Sequence, residues 1–163
     1  MSKKHLWAPW RMDYISNPNK QSDIFLNKAH SENDRENLVL YRGEYSFVIM
    51  NLYPYNNGHL MIVPYNKHDD MTQLDSQTLN EIMQLSQKSM KILKVQLKSE
   101  GFNFGLNMGK AAGAGIDDHL HFHIIPRWIG DSNFMPVVGH TKVIMQSLFD
   151  TYDQLKTEFD LLK

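Results

Sequence analysis

The sequence has no cysteine among its 163 residues, which excludes disulfide bonds and thiolate metal sites. It has no run close to the roughly 20 apolar residues of a membrane-spanning helix. The stretch from Met1 to Asp13 has Trp, Pro and Arg where a secretory signal would be apolar. Neither sign of charge dominates, because 17 Lys and Arg stand against 18 Asp and Glu. We therefore expect a single cytoplasmic domain, with neither a membrane nor a polymeric nucleic acid as its partner.

Histidine, in contrast, is concentrated in one place. Three of the eight histidines, His119, His121 and His123, alternate with apolar residues, which predicts a strand with a row of imidazoles on one face. At a rise of about 3.3 Å per residue, the outer two would lie roughly 13 Å apart at Cα. Ligands spaced in this way diverge, so at most two neighbours could share a metal ion. The other interpretation is a reactive central imidazole, His121, with a helper on each side.

The pattern of the remaining chain predicts an α+β fold. A long helix is expected over about Asp75 to Ser99, with Asp75 as its candidate N-cap and Gly101 as its stop signal. A second helix is expected from about Met145 to Leu162. This order of elements predicts an antiparallel sheet of about five strands with one long helix packed on it and a C-terminal helix. The predicted strands are Asn37 to Arg42, Tyr45 to Asn51, His59 to Tyr65, Phe102 to Met108, and the histidine strand.

The single domain is expected to cover residues 1–163, with its core at 23–128. Residues 1–22 are predicted to form an aromatic-rich docking arm and a connector, and residues 129–163 a C-terminal extension. The aromatic residues of the arm favour docking on the chain's own core or on a second subunit over contact with substrate. Asp23 could cap the short apolar step that follows it.

A glycine-rich loop, Gly109 to Asp118, opens directly onto the histidine strand. Glycine backbone can bring N–H groups close to anionic oxygens, and Lys110 adds one cation. A phosphate beside a row of imidazoles is chemically coherent, although ordinary hairpin loops are glycine-rich too. Because a carboxylate facing a phosphate would repel it, Asp117 is expected to turn outward, or to hold a histidine or a substrate-bound Mg²⁺.

The stretch His-Leu-His-Phe-His-Ile-Ile at 119–125 resembles the His-φ-His-φ-His-φ-φ signature of the histidine triad (HIT) family of nucleotidyl hydrolases and transferases. The similarity extends over residues 23–128, through Asn51, the Gly58-His59 pair and Asn107 with the glycine loop. The opening Leu-Trp-Ala-Pro-Trp-Arg-Met-Asp-Tyr-Ile resembles, more narrowly, the bacterial diadenosine tetraphosphate phosphorylase-like branch.

This resemblance implies a mechanism and a set of roles. His121 would attack the α-phosphorus of a nucleotide to give a nucleotidyl-histidine, from which an acceptor takes the nucleotidyl group. His119 and His123 would orient groups or transfer protons around it. The protein would hold no cofactor, with magnesium at most accompanying the substrate, and it would pair as a homodimer to which Trp7, Trp10 and Tyr14 contribute. The implied substrate-binding residues are His59 in the pocket, Asn51 at the ribose, Ile24, Phe25 and Leu52 around the base, Asn107, Gly113 and Gly115 at the phosphates, and Lys110 and Trp128.

Departures from the family pattern narrow these expectations. Many members carry Cys-x-x-Cys where this chain has Asp23 to Leu26, so we predict no structural zinc. The third triad position is His123 rather than the Gln of the sugar-phosphate uridylyltransferase branch, and Asp117 stands where close relatives often have Pro. The preferred function is a dinucleoside polyphosphate phosphorylase with inorganic phosphate as acceptor. The alternatives are a hydrolase of dinucleoside polyphosphates or nucleoside phosphoramidates, a non-catalytic nucleotide-binding protein, and a metalloenzyme.

Overall fold

One antiparallel sheet organises the computed structural model, which describes residues 23–131, 144 and 146–162. Within these residues there are five strands and four α-helices, and the predicted arm at 1–22 lies outside them. The strands are β1 (Val39–Arg42), β2 (Ser46–Met50), β3 (Leu60–Pro64), β4 (Gly101–Leu106) and β5 (Phe122–Arg127). The helices are α1 (Ile24–His30), α2 (Asp34–Asn37), α3 (Ser76–Gln96) and α4 (Leu148–Phe159), with 3-10 turns at Met71–Gln73, Lys110–Ala112 and Asp160–Leu162.

The strand order in the sheet is β1-β2-β3-β5-β4, and every neighbouring pair is antiparallel. This confirms the predicted α+β class and the sheet of about five strands. The long helix is confirmed as α3, and the Asp75 side chain accepts a hydrogen bond from the backbone N–H of Thr78 at 2.8 Å, as expected for its N-cap.

Three helix boundaries differ from the prediction. Gly101 is not the stop signal of α3, because Leu97 caps that helix and Lys98 turns the chain at φ 52°; Gly101 instead opens β4. Asp23 stands at the N-cap position of α1 but its side chain makes no capping bond, since the residue has the left-handed conformation with φ 67°. The C-terminal helix begins at Leu148, later than predicted.

The histidine strand begins later than its alternating pattern predicts. β5 starts at Phe122, so His119 and His121 precede the ladder and only His123 lies within it. The ladder of β3 and β5 ends at Ile62 and Phe122, and two residues further the same register would set Pro64 opposite Leu120. Proline has no N–H to donate, so the ladder does not extend to that pair. The N–H of Leu120 is bonded instead to the carbonyl of His68, at 2.7 Å.

The two faces of the sheet carry different groups. Since side chains alternate along a strand and paired residues share a face, Leu60 and Ile124 lie on one face and Met61 and His123 on the other. Helix α3 packs on the first face, against β2, β3 and β5. The long helix therefore supports the sheet from behind, and the histidines occupy the opposite face. Among the described residues, no helix has the length and apolar character needed to cross a membrane.

Candidate active site

Four imidazoles meet on the face of the sheet opposite α3. His123 lies between β3 and β4, where its register partners are Met61 and Gly105. Its ring centroid is 4.8 Å from that of His121 and 5.0 Å from that of His59. His119, His121 and His123 are 3%, 7% and 8% exposed, and His59 is completely buried. The structure thus brings the three predicted catalytic histidines and the predicted pocket histidine into one buried cluster.

Backbone carbonyls determine which ring nitrogen carries hydrogen in the first two triad histidines. Nδ1 of His121 donates to the carbonyl of His119 at 2.9 Å, and Nε2 of His119 donates to the carbonyl of Pro64 at 2.8 Å. Because a carbonyl oxygen can only accept, both donating nitrogens must be protonated. A neutral His121 therefore has its lone pair on Nε2, which is the form required of a nucleophile.

In His123 the ring hydrogen lies on Nε2 rather than on Nδ1, because of a chain of hydrogen bonds that begins at Tyr55. The backbone N–H of Tyr55 donates to Nδ1 of His59 at 3.1 Å, so Nε2 of His59 carries the hydrogen and donates to Nδ1 of His123 at 2.9 Å. Nδ1 of His123 is then an acceptor, and its hydrogen lies on Nε2. Neighbouring rings thus present a lone pair on His121 and an N–H on His123.

The Nε2 atoms of His121 and His123 are accessible, whereas Nδ1 of His119 is not. Nδ1 of His119 is sealed from solvent and has no hydrogen-bond partner among the described residues. The Nε2 atoms of His121 and His123 also form no hydrogen bond within that part of the chain, but they are not among its sealed polar atoms. A ligand can therefore reach one nucleophilic nitrogen, on His121, and one donor nitrogen, on His123.

Burial keeps the triad uncharged. It lowers the pKa of His119 and of His121, although the carbonyl bonded to each ring opposes this shift. Burial, with a smaller contribution from the charge of His121, lowers the pKa of His123 to about 4. The cause is desolvation, which penalises the charged imidazolium. At neutral pH His123 is consequently a neutral hydrogen-bond donor.

Helix α1 supplies one wall of the cluster. Phe25 is 3% exposed, and its ring lies 5.4 Å from His119 and 5.2 Å from His121 between centroids. Ile24 precedes it in the same helix and is half-buried, while Leu52, in the loop after β2, is half-exposed. Phe25 is thus in ring contact with two of the triad histidines, and Leu52 presents apolar surface to solvent.

Asn51 is already engaged through its side chain. Its Oδ1 accepts from the backbone N–H of Tyr53 at 2.9 Å, and its Nδ2 lies 3.4 Å from Nδ1 of His59. These contacts hold the amide beside His59, whose Nε2 donates to His123. One Nδ2 hydrogen and one Oδ1 lone pair of Asn51 remain available to a ligand.

The glycine loop folds largely on itself. The N–H of Gly113 donates to the carbonyl of Lys110 at 3.0 Å, and Gly113 has φ 86°, a conformation that favours glycine. Lys110 is 81% exposed and its ammonium lies 3.4 Å from the Asp117 carboxylate. Gly115 is half-buried in the following bend. The Asn107 side chain makes no hydrogen bond to any described residue, which leaves its amide available to a ligand.

Trp128 is not brought to the histidines. Its indole N–H donates to the carbonyls of Leu97 and Lys98 at the end of α3, at 3.1 and 3.0 Å. It also follows His123 by five residues along an extended strand, which places the two Cα atoms roughly 16 Å apart. Its indole N–H therefore closes the end of a helix in this chain, and a contact with substrate stays a prediction.

Two features of the site were missed at the sequence level. Gly105 lies beside His123 in the ladder, and a Cβ built on it would have no atom within 4 Å, so the space next to the imidazole is open. Glycine inside a strand pattern is a known sign of close approach by a ligand. The ring of Tyr55 lies tilted near both His59 and His123, with centroids 4.8 and 6.0 Å away. The hydrogen bond from its backbone N–H to His59 could not be predicted from the sequence.

The chain is 38% identical over 164 aligned residues to the AP-4-A phosphorylase of Mycobacterium tuberculosis, which covers 96% of this chain and 84% of that protein. It is 34% identical over 94 residues to the bis(5'-adenosyl)-triphosphatase of Saccharomyces cerevisiae, covering 55% of this chain and 44% of that protein.

A solved structure of a zinc-bound histidine triad family protein from Mycobacterium smegmatis superposes with a TM-score of 0.69 at 22% identity, over 86% of this chain and 95% of that chain. The likeness is one of fold. In residues 23–131, 144 and 146–162 no three His, Asp or Glu side chains converge as metal ligands would. The positions expected for thiolates do not fit zinc either, because Asp23 is bonded to the Lys67 ammonium and Leu26 is apolar.

The HIT domain model matches residues 32–128, a range that contains all of the sheet, helix α3 and the four clustered histidines. The predicted resemblance, including that to the phosphorylase-like branch, is confirmed by this match and by the 38% identity over nearly the whole chain. The chain belongs to the HIT family.

Proposed function

We propose that the chain is a nucleotidyltransferase that cleaves dinucleoside polyphosphates such as diadenosine tetraphosphate, with inorganic phosphate as acceptor. The observation that carries this proposal is the hydrogen bond from Nδ1 of His121 to the His119 carbonyl, which leaves Nε2 as an unprotonated nucleophile in a neutral triad. The identity of 38% to an AP-4-A phosphorylase over 96% of the chain supports the substrate class.

In the first half of the reaction, Nε2 of His121 forms a bond to the α-phosphorus, and the bond from that phosphorus to its bridging oxygen breaks. For diadenosine tetraphosphate the leaving group is ATP, and the enzyme retains an adenylyl group on His121. Negative charge increases on the leaving oxygen, and Nε2–H of His123 is the neighbouring donor that can stabilise it. The imidazole is both a good nucleophile and a good leaving group at neutral pH.

In the second half, an oxygen of inorganic phosphate attacks the same phosphorus and the P–N bond breaks, which yields ADP and returns neutral His121. The overall reaction converts diadenosine tetraphosphate and phosphate into ADP and ATP. His59 supports both halves, because its bond to Nδ1 of His123 keeps the His123 hydrogen on Nε2. An imidazole whose pKa is about 4 acts here through hydrogen bonding rather than as a charged acid.

The remaining predicted residues, apart from Trp128, are assigned to the substrate as follows. Phe25, with Ile24 and Leu52, provides apolar surface for the base, and Asn51 offers an amide to the ribose hydroxyls. Asn107, with Gly113, Gly115 and Lys110, is assigned to the phosphate chain. The pairing of Lys110 with Asp117 means that a bound phosphate competes with a carboxylate for this cation, so magnesium on the substrate would reduce the repulsion.

A second candidate is hydrolysis with water as acceptor, which the 34% identity to a bis(5'-adenosyl)-triphosphatase favours. One experiment separates the two. The protein is incubated with diadenosine tetraphosphate, with and without inorganic phosphate, and the products are separated by anion exchange. ADP and ATP that form only with phosphate support phosphorolysis. AMP and ATP formed from water alone exclude phosphorolysis as the main reaction, and nucleotide binding without any product supports a non-catalytic binding protein.

We also propose that residues 1–163 act as a single domain that pairs as a homodimer in the cytoplasm. Support for pairing comes from β4, an edge strand whose Phe104 is 40% exposed, because an uncovered edge with apolar side chains is a template for a second chain. The proposed nucleotide substrates support the location. Light scattering after gel filtration tests the pairing, and a monomeric mass at micromolar concentration would contradict it. The aromatics Trp7, Trp10 and Tyr14 lie outside the described residues.

A further inference from the structure

Residues 118–121 carry two of the triad histidines but lie outside the sheet ladder, so other contacts must fix them. The last residue of β3 and the chain that follows it supply two of these contacts. The carbonyl of Pro64 accepts from Nε2 of His119 at 2.8 Å, and the carbonyl of His68 accepts from the N–H of Leu120 at 2.7 Å. The segment 64–68 therefore acts as the support of the histidine segment.

Lys67 belongs to this support and adds a third contact. Its ammonium is bonded to the Asp118 carboxylate at 2.7 Å and also to the Asp23 carboxylate. Asp118 immediately precedes His119, and Asp23 immediately precedes α1. One side chain thus joins three segments that are far apart in sequence. We call Lys67, Asp23 and Asp118 together the Lys67 clamp.

The Asp23 end of the clamp leads directly to the triad. Phe25 is two residues further on, and its ring packs against the rings of both His119 and His121. Asp23 makes no capping bond to α1, so its carboxylate serves the contact with Lys67 rather than the helix. Because α1 has only seven residues, it depends on tertiary contacts for its position.

We propose that Lys67 is a positioning residue for nucleotidyl transfer, which holds the Phe25 wall of α1 against the histidine segment. This inference rests on the proposed function for its kinetic consequence, and it goes beyond that function by assigning a role to a residue outside the pocket. Without the ammonium, two carboxylates would face each other and repel, and α1 would move away from the triad. Substrate binding would weaken first, because Phe25 contacts the base in the proposed site.

The solvent exposure of the three clamp side chains determines how much KM should change when Lys67 is replaced. The side chain of Lys67 is 31% exposed, and those of Asp23 and Asp118 are 39% and 56% exposed, so solvent screens both ion pairs. A moderate change is therefore expected: Lys67→Met should raise KM for diadenosine tetraphosphate about fivefold and leave kcat within about twofold. Lys67→Arg should restore KM, because a guanidinium can bond both carboxylates.

A double variant tests the electrostatic cause. Adding Asp23→Asn to Lys67→Met removes one of the two repelling charges, and Asn accepts the left-handed backbone at this position. The double variant should recover part of the lost affinity. The matched control is Lys156→Met, which removes a similarly exposed ion pair between Lys156 of α4 and Asp160 just after that helix, and it should leave KM unchanged.

Hydrogen exchange measured by mass spectrometry tests the clamp without relying on activity. In Lys67→Met, amides of residues 24–30 and 118–121 should exchange about fivefold faster, while those of β2 and α3 keep their protection. If that variant does not fold, Asp118→Asn, which removes one arm of the clamp, carries the same test. Unchanged KM and unchanged exchange at 24–30 would overturn the proposal, as would faster exchange spread evenly over the sheet. Wild-type protein without turnover would refute the proposed function, whereas the exchange data would still decide on the clamp.

Discussion

Acid should destabilise this protein through His123, and the size of the effect can be worked out from the burial of that imidazole. The unfolded chain binds a proton at His123 with a pKa near the ordinary value of 6.5, whereas the folded pKa is about 4. The folded state therefore gains stability from a neutral His123 at neutral pH. That stability decreases as the pH falls below 6.5 and is lost by about pH 4, because the unfolded state binds the additional proton.

At 1.36 kcal/mol per pKa unit, the full shift corresponds to about 3 kcal/mol, of which about 2 kcal/mol is lost between pH 7 and pH 5. His123→Asn removes the titrating ring and can still accept the hydrogen bond from Nε2 of His59, since the amide oxygen occupies the place of Nδ1. The variant should therefore lose about 2 kcal/mol less than the wild type over this range, whatever its stability at pH 7.

The assay is urea unfolding followed by far-UV circular dichroism at pH 7 and pH 5, with the free energy of unfolding extrapolated to water. His30→Asn, which removes an exposed imidazole from the end of α1, controls for the loss of a histidine in general and should retain the wild-type difference. Equal losses in wild type and His123→Asn would refute the reasoning, because burial of His123 would then have no linkage to folding.

Three further predictions concern turnover and binding. His121→Ala should lower kcat by on the order of 10⁴-fold, whereas Asn51→Ala should mainly raise KM, by about tenfold for lost hydrogen bonds. Both are measured by steady-state kinetics with diadenosine tetraphosphate, and near-normal turnover without His121 would rule out covalent catalysis by that residue. Asp117→Asn should free the Lys110 ammonium and lower KM by roughly two- to threefold at low salt. Added NaCl should remove this effect, and a raised KM would mean that Asp117 binds the substrate. Gly105→Val should keep the melting temperature, since the space beside it is open, but raise KM about tenfold by filling that space; unchanged KM would place the ligand elsewhere.

The regular elements could be predicted because local pattern decides them. The alternation at 45–51 and 59–65 and the helical period at 75–99 correspond to β2, β3 and α3, all of which bury an apolar face in the core. Helix α3 shows the limit of this approach, since its C-terminal end is set by the left-handed Lys98 rather than by the nearest glycine.

The start of the histidine strand could not be read from the alternation, because the ladder depends on which neighbour each residue faces. The N–H of Tyr65 is bonded to the carbonyl of Tyr45, just before β2, so the N–H position of residue 64 faces β5, where proline has no hydrogen to donate. The proline was visible in the sequence, but its orientation required the register. This single residue moves His119 and His121 out of the sheet and leaves them to be held by side chains and carbonyls of the segment 64–68.

The chemistry of the site was partly visible in the sequence. Identity and spacing indicated His121 as the nucleophile, but its tautomer depends on the His119 carbonyl and that of His123 on Tyr55 and His59. The carbonyl of His119 and the N–H of Tyr55 are backbone groups, which carry no sequence signal, and the pairing of His59 with His123 depends on the fold. The role of Asp117 was open because the conformation of the glycine loop decides its partner, and the structure pairs it with Lys110.

The most direct measurement is detection of the covalent intermediate. The protein is mixed with diadenosine tetraphosphate without phosphate, quenched in alkali to protect the P–N bond, digested and analysed by mass spectrometry. We expect one adenylyl group on the peptide that contains His121, its disappearance with formation of ADP when inorganic phosphate is added before the quench, and its absence in His121→Ala. Turnover to ADP and ATP with no adenylylated peptide at any time, or with the adenylyl group on His119 or His123, would contradict nucleotidyl transfer through His121.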